Sequence, residues 1–488
     1  MPSSLACWLA GLGGESDVAA SLVDRLVPAL RLDGSKAGRR GKERYVRAVL
    51  TVASTVLNRG LATLTLLISV PLTVRYLGVE RYGVWLALSS LIAIIAHVDL
   101  GLSSGLVNAI SAADGNKDRA AAARSVASVF LMLAALACVL SAVFFVIYPW
   151  LPLAHLIRVT SPIAAAEIGP SLCALIICFF LSMPLGVGQR IQIGYQEGYK
   201  ASLWQSAGNV LSLLALLTFI HAKASLPWLV LATSAPPLLT SAVNCVHQFC
   251  FARPWLMPTR DNFHWPTAKH IVRTGLLFCM AGLATILTAQ IPYVMITRTL
   301  GPAVVAQYGV AQKLWSLLPV LASIATVPLW PAYREALASG DLNWIARTFR
   351  ITLIAALATS FSGAFVLLVS YRKIISTWVN PNLVPDATTA IALSVFVVAS
   401  SLKWTTWMCL NGHNRLRGQA TYPFPIIIAA SSSAAIAWRR YGIGGIIWPF
   451  ALAECLILAA QVLDLRAVMS KIHAGSALPT TITQANGC

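Results

Sequence analysis

The sequence predicts an all-α polytopic membrane protein of about 12 transmembrane helices, arranged as two six-helix lobes related by a parallel internal repeat. Three observations carry that expectation: an apolar composition, twelve segments of spanning length, and short motifs that recur in order about 220 residues apart. The 488 residues are 57% hydrophobic and 11% charged, whereas soluble domains carry roughly twice that charged fraction. A water-soluble core could not hide so much apolar surface, so the bilayer must be the solvent for most of it.

A span needs about 20 mainly apolar residues. Such segments lie near residues 48–75, 82–110, 122–149, 165–187, 201–220, 226–246, 271–298, 304–333, 349–370, 387–410, 420–438 and 442–464. Several exceed the minimum, which predicts tilted or bent helices rather than extra crossings. Pro184 interrupts the fourth segment and Pro236-Pro237 the sixth, so these two carry the weakest helical signal.

In a soluble chain a net charge of +19 would point to nucleic acid. Its distribution points to topology instead. Arg39, Arg40, Lys42, Arg44 and Arg47 precede the first span. Bases recur in every even-numbered loop, as Lys117/Arg119/Arg124, Arg190/Lys200, Arg253/Arg260/Lys269/Arg273, Arg334/Arg347/Arg350 and Arg415/Arg417. This positive-inside bias places both termini in the cytoplasm, and anionic headgroups account for the remaining charge. Nucleic acid is not an expected partner.

Residues 1–44 read as a disordered cytoplasmic tail. The first basic residue is Arg25 and the early apolar run is broken by Gly11, Gly13 and Gly14, unlike a signal peptide. Val18, Leu22, Leu26 and Leu30 share one helical stripe, which Pro28 interrupts. The expected organisation continues with an N-lobe over 45–250, a cytoplasmic linker over 251–268, a C-lobe over 269–470 and a tail over 471–488. The ten cysteines, among them Cys138, Cys173, Cys178, Cys279 and Cys455, show neither metal spacing nor a disulfide framework. They read as small apolar residues of helix packing.

The repeat is assembled from short matches. Gly-Leu-Ala-Thr occurs at Gly60–Thr63 and Gly282–Thr285, Arg-x-Leu-Gly at Arg75–Gly78 and Arg298–Gly301, and Tyr-Gly-Val at Tyr82–Val84 and Tyr308–Val310. A fainter pairing sets Gly194-Tyr195-Gln196 against Asn411-Gly412-His413. Six spans per half is an even number, so the halves run in the same direction through the bilayer. Parallel repeats of this kind place a transport path between two lobes that rock about it. The glycines ending the spans permit a tight turn with positive φ.

At these residues the sequence resembles the polysaccharide flippases of the multidrug/oligosaccharidyl-lipid/polysaccharide exporter superfamily. Arg75-Tyr76-Leu77-Gly78-Val79-Glu80-Arg81-Tyr82-Gly83-Val84-Trp85, with the Asp99–Leu102 turn, is similar to that family's N-lobe pattern. Val327–Ala336, with Gly340-Asp341 beyond, resembles its eighth-helix signature. The resemblance spans about residues 45–465. It implies translocation of an undecaprenyl-diphosphate-linked oligosaccharide across the bacterial inner membrane, for capsule, exopolysaccharide or O-antigen assembly. The implied partners are that lipid, the bilayer, and a polysaccharide polymerase with chain-length or export proteins. One departure matters: many relatives carry an acid in the seventh helix where this chain has Gln290, which puts any ion coupling through that position in doubt.

Charges inside spans cost roughly 2.5–3.5 kcal/mol on insertion scales, so they face water or a partner. Arg59 lies near mid-depth of the first span, Lys313 in the outer eighth, Lys403 toward the inner tenth and Glu454 near the middle of the twelfth. Read functionally, they line a cationic cavity for a diphosphate, with Arg supplying a planar fork and Lys point charges. Read structurally, they form buried ion pairs. Trp404 and Trp407 flank Lys403 at helical spacing and suit stacking on sugar rings or a membrane interface equally. His97 and Asp99 precede Gly101 and Gly105, where the second span is free to bend. They read as a proton or cation couple, or Asp99 as a bond across to the first helix that fixes the bend, with the structural reading favoured. Arg334 and Glu335, at the end of the eighth span, fit gating or anchoring.

The chain has no phosphate-binding loop, zinc motif or nucleophile elbow, so no enzyme activity and no cofactor is expected. Transport must then run on a gradient or on the substrate's own concentration difference. Two other readings stand beside the flippase. A small-molecule exporter of the same superfamily would want intramembrane acids for a cationic drug, and a non-transporting scaffold of a polysaccharide assembly complex would not need a two-lobe repeat.

Overall fold

The computed structural model describes residues 36–95, 99, 101–326, 329, 333, 342–412 and 416–473. Among these the regular structure is all helical, with no strand. Among the described residues, nine helical stretches are long and apolar enough to cross a bilayer. Two of them, Leu50–Ile95 and Gly418–Ala467, have 46 and 50 residues, about twice what one crossing needs. Each contains one non-helical glycine, Gly78 (φ 78°, ψ 169°) and Gly442 (φ 56°, ψ −133°), and divides there. With residues 302–326 as a further segment, the architecture is consistent with twelve spans.

In chain order the helices are α1 (Lys36–Ile95), α2 (Leu102–Gly115), α3 (Arg119–Ile147), α4 (Leu153–Ile157), α5 (Pro162–Leu185), α6 (Val187–Gly194), α7 (Gly198–His221) and α8 (Leu226–His247). There follow α9 (Trp265–Leu300), α10 (Pro302–Trp315), α11 (Leu317–Thr326), α12 (Leu342–Trp378), α13 (Ala387–Gly412), α14 (Leu416–Thr421) and α15 (Pro423–His473). The described part of the first helix runs from Lys36, so residues 36–44 of the expected tail are helical. Their Lys, Arg, Glu and Ala content favours helix, and no proline stops it.

The two proline-interrupted spans are helices as well. Pro237 has no N–H to give the Thr233 carbonyl one turn earlier, and Ser212 Oγ of α7 donates to that oxygen at 3.1 Å. Within a bilayer a neighbouring helix is the available substitute for the missing donor, which is why α8 continues through Pro236-Pro237.

The buried apolar side chains form two main clusters. One draws on residues from Leu77 to Ile271, and the other mainly on residues from Tyr293 to Ala453 with Val70, Val74, Tyr82 and Leu86. This division matches two halves joined along a seam. The Arg-x-Leu-Gly glycines of the repeat adopt the same backbone, Gly78 at φ 78°, ψ 169° and Gly301 at φ 87°, ψ 172°. Around that end, Glu80 Oε1 accepts from Thr160 N, Thr160 Oγ1 and Ser161 N at 2.7, 2.8 and 3.1 Å, capping the approach to α5. Arg81 binds Glu167 through Nε and Nη2 at 2.7 and 2.6 Å.

Both Tyr-Gly-Val motifs lie in the seam. A Cβ on Gly83 would stand 1.7 Å from the Pro302 carbonyl oxygen, and one on Gly309 would stand 2.3 Å from Leu86 Cδ1. Arg158 Nη1 donates to Thr299 O at 2.9 Å and Trp378 Nε1 to Leu67 O at 2.8 Å, closing the same end. Farther along, α2 meets α9 backbone to backbone. A Cβ on Gly101 would lie 2.1 Å from Gly275 O, and one on Gly275 would lie 2.2 Å from Gly101 O.

Gly101 also has φ +73°, so Gly101→Ala should lower the thermal unfolding midpoint of the purified protein, with the backbone alone costing about 1–2 kcal/mol. Gly60→Ala, whose Cβ would meet nothing within 4 Å, should leave the midpoint unchanged or raise it. Equal midpoints for the two variants would contradict the backbone contact.

Candidate functional site

The polar groups inside the spans fall into separate groups, and the C-terminal half holds a buried charged one. Lys403 of α13 and Glu454 of α15 form an ion pair, with Nζ 2.6 Å from Oε2 and 2.8 Å from Oε1. Their side chains are 7% and 1% exposed. Thr288 Oγ1 of α9 also donates to Glu454 Oε1, at 2.8 Å. Three helices are thus joined through one carboxylate, which is how a buried charge avoids the full cost of desolvation. Beside the pair is a space of about 20 Å³, enough for a water molecule, lined by Lys403, Trp407, Thr285, Gln419, Gln461 and apolar neighbours. Thr285 belongs to the second Gly-Leu-Ala-Thr motif. Trp404 and Trp407 pack edge to face with centroids 5.0 Å apart.

Lys313 of α10 stands elsewhere, in the seam. Its Nζ donates to Tyr82 Oη at 2.9 Å and lies 5.3 Å from that ring's centroid. The contact joins a charge of the second half to the Tyr-Gly-Val motif of the first. Tyr308, from the matching motif, packs on Tyr293 at 4.7 Å.

Arg59 is exposed on α1 and makes no hydrogen bond or ion pair among the described residues. Its neighbour Asn58 begins a chain of side-chain amides. Asn58 Nδ2 donates to Gln205 Oε1 at 3.0 Å, Gln205 Nε2 to Gln189 Oε1 at 3.1 Å, and Gln189 Nε2 to Ser241 Oγ at 3.2 Å. Asn209 Nδ2 and Ser206 Oγ both donate to Asn58 Oδ1, at 3.0 and 3.4 Å. Charge within the spans does not single out these residues, because all of them are neutral. Their signal is nevertheless present, since Ser202, Gln205, Ser206, Asn209 and Ser212 recur at helical spacing through an apolar segment.

Asp99 accepts from Gly101 N through Oδ1 at 3.0 Å, and its carbonyl accepts from Leu102 N at 3.0 Å. The bond is local to the turn rather than across to the first helix. Arg190 of α6 lies within the field of its carboxylate. Gln290 is half-buried on α9. His97, Arg334 and Glu335 lie outside the described residues.

At the end opposite Gly78, a space of about 530 Å³ is lined by Asp114, Lys117, Arg119, Tyr195, Glu197, Arg253 and Trp255, among others. Arg253 pairs with Glu197 at 3.0 Å and stacks 4.2 Å from the Tyr195 centroid. Burial works against the Glu197 charge, but the Arg253 hydrogen bond and charge, with Lys200, outweigh it and hold the carboxyl below its ordinary range.

Residues 48–335, more than half of the chain, match the family described as polysaccharide biosynthesis protein. The chain belongs to this family. A relative from Salmonella typhi, named "Putative O-antigen transporter", is 22% identical over 424 residues, covering 85% of this chain and 94% of its own. Among solved structures, an inward-facing multidrug resistance MATE family transporter of the MOP superfamily superposes with a TM-score of 0.70 at 16% identity, covering 88% of this chain and 100% of its own. An outward-facing structure of such a transporter gives 0.63 at 17% identity, covering 89% and 97%. A MOP superfamily transporter from Pyrococcus furiosus gives 0.64 at 16% identity, covering 88% and 97%. This member of the polysaccharide biosynthesis family therefore has the MOP transporter fold.

The Lys403–Glu454 geometry makes a direct prediction about the two readings of these charges. Lys403→Met alone should sharply reduce folded protein in the membrane, because an unpaired buried carboxylate costs about 3–5 kcal/mol. Adding Glu454→Leu should restore much of it. Measuring abundance and unfolding midpoint of both variants checks this. A stable, abundant single variant would show that the pair is not structural.

Proposed function

We propose that the protein translocates an undecaprenyl-diphosphate-linked oligosaccharide across the bacterial inner membrane by alternating access between its two lobes, supplying exopolysaccharide, capsule or O-antigen synthesis. Family membership and the MOP fold support transport within polysaccharide biosynthesis. The observation that carries the anionic cargo is Arg59, an exposed guanidinium within the first span that has no acid bound to it among the described residues. The deep acid of the other half, Glu454, is already occupied by Lys403 and is not free to hold a cationic drug. That asymmetry favours a lipid diphosphate over the drug exporter reading.

With both termini cytoplasmic, the Gly78 end faces the periplasm. The seam of Tyr82–Lys313, Gly83–Pro302 and Arg158–Thr299 then closes the outer side, while α2 and α9 also touch at Gly101–Gly275 toward the cytoplasmic end; in this reading the substrate is taken from the cytoplasmic leaflet. The protein does no bond chemistry in this reading; it moves its cargo on a gradient or on the cargo's own concentration difference.

A diphosphate carries about two negative charges and must shed water to enter between the lobes. Charge-assisted hydrogen bonds from a guanidinium, roughly 1.5–3 kcal/mol each, offset that loss. Arg59→Ala should abolish or sharply reduce polymer export, and Arg59→Lys should retain part of it because charge survives without the fork. The measurement is surface polymer normalised to membrane-inserted protein. Normal export by Arg59→Ala at equal abundance would remove the central residue of the cationic cavity.

A further inference from the structure

We propose that the amide chain Asn58–Gln205–Gln189–Ser241, with Asn209 and Ser206 at its head, is the surface that reads the sugar of the cargo. It binds the hydroxyl groups of a neutral, hydroxyl-rich glycan. The inference rests on the flippase reading and adds to it a specificity-determining site distinct from the charged residues.

The argument starts from where these side chains point. On α7 the exposed apolar residues Leu203, Val210, Leu211, Leu214 and Leu217 share one face, the face that meets lipid. At about 100° per residue Gln205 lies on the opposite face, and it is exposed there too. An exposed amide within a span and turned away from lipid faces water enclosed by the protein. Gln205 is bonded to α1 on one side and to Gln189 on the other, and the bonds Asn58–Gln205 and Gln205–Gln189 are themselves exposed. The wall is therefore built from four spans and open at its two middle links, with its Ser241 end and its Asn58 head part-buried.

Hydrogen-bond capacity supports the same conclusion. A primary amide offers two donors and an acceptor with two lone pairs. Gln205 spends one N–H on Gln189 and accepts one from Asn58, and Asn58 spends one N–H on Gln205. Each amide keeps donor capacity toward the opening, and the internal bonds fix the orientation of what remains. A pre-oriented row of neutral donors and acceptors suits vicinal hydroxyls, which also donate and accept. It does not suit a diphosphate, which only accepts. Arg59 stands at the next position on α1, so the charged and neutral contacts fall side by side, in the order expected of a phosphate joined to a sugar.

The test uses the full-length protein in nanodiscs and three probes: the lipid-linked repeat unit extracted from the native host, bare undecaprenyl diphosphate, and the free oligosaccharide released from the extract. Gln205→Met keeps side-chain length and removes the amide; Gln189→Met does the same at the next link and guards against one variant failing to fold. Each should weaken binding of the lipid-linked repeat unit about tenfold while leaving undecaprenyl diphosphate binding unchanged, and should abolish any binding of the free oligosaccharide. Unchanged affinity for the repeat unit in both variants overturns the inference and leaves the flippase reading standing. Equal losses for the repeat unit and the bare lipid overturn it as well, since the chain would then act only on the shared headgroup or on folding. Failure of the wild type to bind either lipid overturns the flippase reading, and the inference with it.

Discussion

A bilayer offers a polar group no partner, and that one constraint decides how nearly every polar residue in this structure is used. Ser212 answers the carbonyl that Pro237 leaves unbonded. Lys403, Glu454 and Thr288 answer one another across three helices. Polar groups that are neither paired nor buried must then face enclosed water. Arg59 and the outer edge of the amide chain are in that position. Burial therefore separates structural polar residues from functional candidates more sharply than charge does.

The second organising feature is the seam between the halves. Glycine lets main chain approach main chain at Gly83 and at the Gly101–Gly275 crossing, where any Cβ would overlap a carbonyl. Contacts of this kind are close but hold few side-chain bonds. Polar links cross at the Gly78 end in Lys313–Tyr82, Arg158–Thr299 and Trp378–Leu67.

Much of the fold was legible in the sequence because its signals are local. Arg-x-Leu-Gly at Gly78 and Gly301 marks two turns whose φ only glycine adopts cheaply, and the two sites have the same backbone. The pairing of Lys403 with Glu454 was not legible. Each stands out as a charge in an apolar segment, but the partners are 51 positions apart on separate helices, and no spacing rule connects them. The continuous helix through Pro236-Pro237 was hidden for the same reason, since its substitute donor lies on α7. The amide chain was half visible, as a polar stripe on α7, but its links to α1, α6 and α8 come only from tertiary packing. The Gly-Leu-Ala-Thr repeat now has a physical place, since its second copy lines the small polar space beside Lys403 and its first follows Arg59.

The central claim is that a lipid-linked glycan crosses the inner membrane through this protein. The most direct measurement is the leaflet distribution of the lipid-linked repeat unit after depletion of the protein in its native host. It is read by the access of a membrane-impermeant sugar-oxidising reagent to intact spheroplasts. The account predicts that repeat units accumulate in a protected, inner-leaflet pool while surface polymer falls. Repeat units that remain as accessible as in wild-type cells while polymer is lost would contradict it, and would place the protein after translocation rather than at it.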